Sequence, residues 1–338
     1  MINARAAVRP EIGGVERVAR ELCERLPALR PERYAVQRPR PRLAFRAGHL
    51  WEQAALPLAA RHARLVLSPA NLAPLACGQR NVVLIHDVAP VRHPEAYGRL
   101  YAQYQRRLLP ALARRAARVI TVSEFSRQEV VDLLGAPAER VEVVPNGVDE
   151  RFSPDADPGP ARERYGLERP YVLAVGTRSA RKNLGALDLA ARRLGERGAE
   201  LVLAGSGRGY LRGEGEPGAV RALGYVDEAL LPGLYAGALA LVMPSLHEGF
   251  GLPCLEAMAS GVPVVAARRG ALTETCGHAA LLVEPEPETL AGALAGLLDA
   301  EALRERLRAA GLERARGFTW ARSAQLVDEL VGRALAGA

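Results

Sequence analysis

Lysine is almost missing from this chain. Of 45 basic residues, all but Lys182 are arginine. A coding bias that turns nearly every surface cation into arginine has no reason to spare one. A site shaped around a compact ammonium, by contrast, resists exchange for a planar guanidinium. Chance survival of one surface lysine is the bland alternative; the place of Lys182 in the sequence favours the functional one. Long apolar runs are missing too. Although 49% of residues are hydrophobic, no run approaches the roughly 18–20 residues that a membrane span requires. The opening MINARAAVRPEIGG has no apolar core of signal-peptide type. The cysteines Cys23, Cys77, Cys254 and Cys276 form no CxxC pair, so reduced thiols in a cytoplasmic protein are expected. No trio of histidines has metal-ligand spacing, and no metal is expected. The net charge of +7 suggests an anionic partner, yet the arginines are spread at helix-face spacing without an aromatic-interleaved basic block. A solvated arginine-rich surface is the favoured reading, and no nucleic-acid partner is expected.

What is present is an alternation. Its 338 residues suffice for two ordinary domains. In the first half, strand-like runs at INAR, YAVQ, RLVLS, NVVLIH, ARVITV and RVEVVP alternate with helical stretches. These are GGVERVARELCERL, HLWEQAALPLAARH, PEAYGRLYAQYQRRLLPALARRAA and FSRQEVVDLL. The last opens with Ser126 and has Glu129 three residues on, a capping-box arrangement. ERFSPDADPGPARERYGLERP then breaks the pattern and reads as a linker. The second half restarts with YVLAVG, AELVLAG, RALGYV, LALVMPS, VPVVAA and AALLVE, and two helices close the chain at roughly 300–316 and 319–336. The expectation is an α/β protein of two doubly wound Rossmann-like domains facing a central cleft. Its divisions are 1–150, a linker at 151–170, 171–318, and a final helix over 319–338.

In open parallel sheets, ligands bind beyond the carboxyl ends of the strands. Five notable stretches fall at such ends: Gly13-Gly14, His86-Asp87, Arg178 to Lys182, Gly205 to Gly209, and Glu248 to Gly251. After YVLAVG comes TRSARKNL, with a helix expected to start near Asn183; fixed cations beside a helix N-terminus form an anion site. Arg178 and Lys182 can both reach a diphosphate there, while Arg181 has solvent as its ordinary alternative. Gly13-Gly14 permits close backbone approach to a ligand, or simply turns the chain into a helix. His86 either hydrogen-bonds a polar substrate or is a core histidine satisfied by backbone. AGSGRGY at 204–210 looks like a dinucleotide fingerprint, but LRGEGEPGAV cannot form the helix that must follow, so a nicotinamide enzyme is rejected.

EGFGLPCLE, residues 248–256, carries the most information. Gly249, Gly251 and Pro253 rule out a helix through Glu248, while LPCLEAMAS is a good helix opening with Pro253 near its first position. The unit is strand, glycine turn, helix, and strand again at VPVVAA. At the turn Glu248 can accept from sugar hydroxyls, the glycines expose backbone N–H groups, and Glu256 sits about one helical turn in, placed for a ribose diol. Its plain alternative is an ordinary helix-surface residue.

EGFGLPCLEAMASGVPVV resembles the signature of the retaining nucleotide-sugar-dependent glycosyltransferases of family 4, which have the GT-B fold. The likeness extends through GGVERVARELCERL, IHDVAP, VITVSEFSRQEV, VVPNGVD, GTRSARKNL and LYAGALALVMPS, nearly the whole chain. The resemblance implies that Glu248 contacts the donor sugar, Glu256 the ribose, and Arg178 and Lys182 the diphosphate with the Gly13-Gly14 loop. It implies that His86 hydrogen-bonds the donor sugar near the reacting carbon, and that the final helix crosses back to the first domain. The donor site then comprises Gly13, Gly14, Arg178, Lys182, Glu248, Gly249, Phe250, Gly251, Leu252 and Glu256; the catalytic groups are His86, Glu248, Lys182 and Arg178. Many members carry arginine directly after the strand-ending glycine, where this chain has Thr177, so the phosphate role rests more on Lys182 than on Arg178.

The expected activity is transfer of a hexose, mannose or another, from a nucleoside diphosphate to an acceptor hydroxyl with retention, in cell-surface glycan or glycolipid synthesis. No cofactor is expected. A GT-B phosphorylase needs pyridoxal phosphate on a lysine, for which Lys182 is the one candidate, and a non-catalytic sugar-nucleotide-binding protein has no need of His86 and Glu248. The expected partners are the sugar nucleotide and a glycan or lipid-linked acceptor. Tyr97, Leu100, Tyr101 and Tyr104, near Arg99, Arg106 and Arg107, either pack on the first sheet or rest on the inner face of a membrane; packing is favoured.

Overall fold

The computed structural model describes residues 1–9, 11–40, 48–207, 211 and 218–337. They form two compact units, each built on a parallel sheet of six strands. The first unit comprises Met1–Arg92, Leu100–Gly147 and Trp320–Ala338; the second comprises His93–Arg99 and Val148–Thr319.

In the first unit, β1 (Ile2–Asn3), β2 (Val36–Gln37), β3 (Val66–Ser68), β4 (Asn81–Leu84), β5 (Arg118–Thr121) and β6 (Val141–Val143) lie in the order β2-β1-β3-β4-β5-β6. The strands are short, and the central β3, β4 and β5 bury Val66, Leu67, Val82, Val83, Leu84, Val119 and Ile120, as strands covered on both faces do. Helix α1 (Gly14–Leu29) buries Val18, Leu22 and Leu26, one stripe at four-residue spacing. In α2 (Arg99–Arg115), Leu108, Leu109 and Leu112 join Val83, Ile85 and Val119 in the core. The final helix, Trp320–Ala336, belongs to this unit and packs beside α1. Its buried Asp328 accepts hydrogen bonds from Tyr34 Oη and Arg33 Nη1, both at 2.7 Å.

In the second unit, β7 (Tyr171–Val175), β8 (Glu200–Ala204), β9 (Arg221–Gly224), β10 (Ala240–Met243), β11 (Val264–Ala267) and β12 (Leu281–Val283) take the order β12-β11-β10-β7-β8-β9. The chain leaves β7 in one direction along the sheet and returns to β10 in the other, so the switch point lies between these two neighbours, which pair Ala240 with Val172. Helices α4 (Asp188–Glu196), α5 (Leu231–Ala236), α6 (Leu252–Ala259), α7 (Pro287–Asp299) and α8 (Glu301–Arg316) flank the sheet. Among the described residues, no helix is long and apolar enough to cross a membrane.

Four local expectations differ from the structure. Helix α3 (Glu124–Leu134) starts earlier than Ser126: Ser123 Oγ accepts from Ser126 N at 3.0 Å and is the N-cap, while Ser126 Oγ turns to the carbonyl of His86. The stretch 94–117 is not one helix, since a 3-10 turn at Pro94–Ala96 precedes α2. No α-helix begins at Asn183, which is left-handed (φ +52°) between two 3-10 turns; α4 starts only at Asp188. Residues 151–170 lie within the second unit, where Gly159–Tyr165 is helical and Phe152 is buried. Of the glycine-rich stretch 204–210, residues 208–210 lie outside the described residues. Gly205 has a packing reason: a Cβ there would fall 2.0 Å from the carbonyl oxygen of Gly176.

Candidate functional site

The loops following β7 and β10 meet at the switch point of the second sheet. A backbone bond ties them together, with Leu246 N donating to Arg181 O at 2.8 Å. Asn183 Nδ2 donates to Pro244 O at 3.3 Å. This brings together residues 66 apart in sequence: Lys182 Nζ donates to Glu248 Oε1 at 2.5 Å, and both side chains are nine-tenths buried. Arg181 does not point to solvent. Its Nη1 lies 3.4 Å from Glu248 Oε2 and donates to His247 O at 3.0 Å. One carboxylate is thus held by two cations.

Burial alone would raise the pKa of Glu248. The charges of Lys182 and Arg181, with the Lys182 hydrogen bond, outweigh it and hold the group down at about 2. Burial lowers the pKa of Lys182, and ionised Glu248 opposes that lowering. An ammonium has three N–H donors, so Lys182 can keep Glu248 and still offer donors to a second anion. Arg178 lies half-buried on the loop between β7 and the 3-10 turn at Ala180–Lys182.

The turn after Glu248 has the geometry its glycines suggest. Gly251 is the N-cap of α6 at φ +98°, and a Cβ there would fall 2.6 Å from Leu272 Cδ2. Only glycine meets both demands. Pro253 fits the first turn of α6, where its missing N–H has no helical partner to serve. Phe250 is buried with its ring edge-on to Phe318, centroids 5.9 Å apart. Gly249 and Leu252 are also buried in this turn. Glu256 is not an exposed helix residue. It is buried in α6, and Tyr235 Oη, from the last turn of α5, donates to its Oε2 at 2.7 Å.

In the first unit, His86 follows β4 and is buried. Its Nε2 contacts Pro69 O at 2.9 Å. A carbonyl only accepts, so Nε2 carries the proton and the neutral ring keeps Nδ1 as an acceptor. Burial lowers the pKa of His86, against smaller opposing effects of the Pro69 carbonyl, Asp87 and Glu16. Asp87 itself caps the following turn by accepting from Ala89 N at 3.0 Å. Gly13 is the N-cap of α1, and its N–H donates to Glu16 Oε2 at 3.1 Å; Gly14 is the first helical residue. Glu16 also pairs with Arg9 at 3.0 Å.

Two features here were not visible as motifs. Beside the ends of β1 and β3, buried Glu52 Oε1 accepts from Asn3 Nδ2 at 2.8 Å and from Arg5 Nε at 3.1 Å. His49 Nδ1 stands 3.9 Å from Glu52 Oε2, and burial together with Arg5 and Arg9 brings the His49 pKa down to about 4, so the imidazole is neutral at pH 7. The second feature is the Tyr235–Glu256 bond; Tyr235 lies within LYAGALALVMPS, but nothing local marks its partner. The tyrosine stripe divides: Tyr97 is buried and Tyr101 half-buried, whereas Leu100 (84%) and Tyr104 (38%) are exposed.

Residues 12–152 match the family model for Glycosyltransferase Family 4, and residues 169–300 that for Glycosyl transferases group 1. O-antigen chain mannosyltransferase B of Escherichia coli is 34% identical over 265 residues, covering 72% of this chain and 67% of its own. D-inositol 3-phosphate glycosyltransferase of Kribbella flavida is 37% identical over 272 residues, covering 71% of this chain and 62% of its own. The chain therefore spans about two-thirds of the length of these relatives. Among solved structures, a sucrose-phosphate synthase from Thermosynechococcus elongatus superposes with TM-score 0.77 at 22% identity, over 100% of this chain and 99% of that one. Anabaena HepE, in complex with UDP and glucose, gives TM-score 0.71 at 21% identity over 95% and 96%. At such identities the structural likeness speaks for the fold. With two doubly wound parallel sheets, both family models matched in order and relatives above 30% identity, the chain belongs to the family 4 glycosyltransferases and has their GT-B fold.

Proposed function

We propose that this chain is a retaining glycosyltransferase that moves a hexose of mannose type from a nucleoside diphosphate to a hydroxyl of a glycan or lipid-linked acceptor, in cell-surface glycan or glycolipid synthesis. The observation that carries the reading is the buried Lys182–Glu248–Arg181 cluster at the switch point, with Glu256 on the helix immediately behind it. The names of its relatives, one a mannosyltransferase and one an inositol-phosphate glycosyltransferase, support the reaction class. A neighbour held with UDP and glucose supports the donor class.

In this reading the bond from the anomeric carbon to the diphosphate breaks as the acceptor oxygen bonds to the same face. The acceptor proton passes to the departing phosphate oxygen. Charge gathers on the leaving diphosphate, where Lys182 and Arg178 stabilise it from preset positions and Arg181 keeps Glu248 ionised. Glu248 accepts from the sugar hydroxyls and Glu256 from the ribose. His86 hydrogen-bonds the donor sugar, and the Gly13-Gly14 turn approaches the diphosphate. No cofactor or metal is assigned a step. The protein acts in the cytoplasm, and peripheral contact with the inner membrane face through exposed Leu100 and Tyr104 belongs to the same proposal.

A thermal-shift panel of nucleoside diphosphate sugars tests the donor class, because a true donor stabilises the fold by linkage, by about 2.7 kcal/mol at a hundredfold excess over its dissociation constant. One or a few sugar nucleotides should raise the melting temperature. If none does at millimolar concentration, the reading is wrong.

A further inference from the structure

We infer that Tyr235 is a positioning residue of the donor site, fixing through Glu256 the preference for a ribonucleotide over a deoxyribonucleotide; this rests on the ribose reading of Glu256. The two motif glutamates are held by different chemistry. Glu248 lies between the cations Lys182 and Arg181, whereas Glu256 Oε2 takes a hydrogen bond from a phenol at 2.7 Å. A phenol orients a carboxylate without itself cancelling the charge, so this bond leaves Glu256 able to accept charge-assisted bonds from ribose hydroxyls.

Tyr235 is itself immobilised. It is fully buried, and its ring meets the buried Phe152 edge-on, centroids 5.5 Å apart at 86°. Arg151 covers Phe152 at 5.3 Å from the ring centroid and is tied to Glu228 O at 3.1 Å. The phenol therefore presents its proton from a fixed place on α5 to a carboxylate on α6. A glutamate side chain has three torsions to order, the last of them broad. Holding one oxygen in the folded protein sets the carboxylate plane before the nucleotide arrives, so less ordering is left for binding to supply.

Calorimetric titration with UDP, GDP and ADP identifies the nucleotide that binds, and the matching 2′-deoxynucleoside diphosphate completes the comparison. In the wild type the ribonucleotide should bind about tenfold or more tighter, as expected for a hydrogen bond to a charged group. Tyr235→Phe should weaken the ribonucleotide by about tenfold while changing the deoxynucleotide less than twofold, so that the preference collapses. In turnover, the same variant should raise donor KM and leave kcat within about twofold. A merely structural tyrosine would weaken both nucleotides alike, and that result, or no change in either, overturns the inference. Should Tyr235→Phe fold poorly, Tyr235→Phe with Glu256→Gln removes the buried charge together with its phenol. The pair should show the same nucleotide preference as Glu256→Gln alone, and a further loss on adding Tyr235→Phe would contradict the inference. A wild type that binds none of the three nucleotides overturns the ribose reading itself, which is a different failure.

Discussion

Lys182→Ala is the most informative single change. It removes one member of a 2.5 Å ion pair whose two side chains are each 9% exposed. Removing one partner of a buried pair typically costs about 3–5 kcal/mol, because the other charge stays buried. Arg181, 3.4 Å from the second oxygen of Glu248, still compensates part of that charge, so the low end of the range applies, about 3 kcal/mol. Adding Glu248→Gln should restore part of the loss, since the buried carboxylate charge is then gone, while Arg181 gives up its contact with that charge. Guanidinium titration followed by far-UV circular dichroism suits the measurement, because Trp51 and Trp320 both belong to the first unit and do not report on the second. Turnover by Lys182→Ala should fall on the order of 10²-fold or more, as for other lost charge stabilisers. Lys182→Arg should recover little of it, because a planar fork does not replace a point charge in the same slot. A loss of stability below about 1 kcal/mol, together with near-normal turnover, would refute the assignment.

The same cluster sets an acid limit. The folded pKa of Glu248, about 2, lies below its ordinary 4.5, so its ionised form favours the fold above pH 4.5 and this contribution fades as the pH falls through 2. Acid titration should show it, and the Lys182→Ala/Glu248→Gln double variant should lose that part of the dependence. Gly251→Ala adds a Cβ 2.6 Å from Leu272 Cδ2 to a residue at φ +98°, and should cost about 2–5 kcal/mol from left-handed strain and overpacking together. Leu272→Ala alone should cost about 2–5 kcal/mol as a buried truncation, so the readout is the coupling in the double-mutant cycle. It should recover only the steric share, and a coupling equal to the whole Gly251→Ala loss would show that backbone conformation plays no part.

Much of this site is legible before any coordinates. The strand, glycine turn and helix of EGFGLPCLE follow from Gly251 and Pro253, whose positions at the N-cap and first turn of α6 are those their backbone preferences favour. What local pattern does not carry is pairing across the fold. Lys182 and Glu248 stand 66 residues apart and meet because β7 and β10 are neighbours in the sheet. Tyr235 and Glu256 meet for a similar reason, on successive helices. Ser126 is misread as an N-cap because SEFSRQE contains two serines three residues apart, and only the contact of Ser126 Oγ with the His86 carbonyl decides between them. ARKNL lacks an obvious breaker, and left-handed Asn183 interrupts it by bonding the Pro244 and Pro285 carbonyls through its side chain. In the polar stretch 151–170, composition hides Phe152 and Ala161, both buried.

The most direct test separates the two glutamates by calorimetric titration of the free nucleoside diphosphate. Glu256→Gln should weaken its binding by about tenfold, since the ribose contact is made whether or not the sugar is attached. Glu248→Gln should leave that affinity unchanged or slightly higher, because Lys182 is then released from its 2.5 Å partner and is more available to phosphate, while kcat falls for want of the contact to the reacting sugar. If the free nucleotide binds both variants like the wild type, or loses affinity only in Glu248→Gln, the donor does not lie across this turn as described.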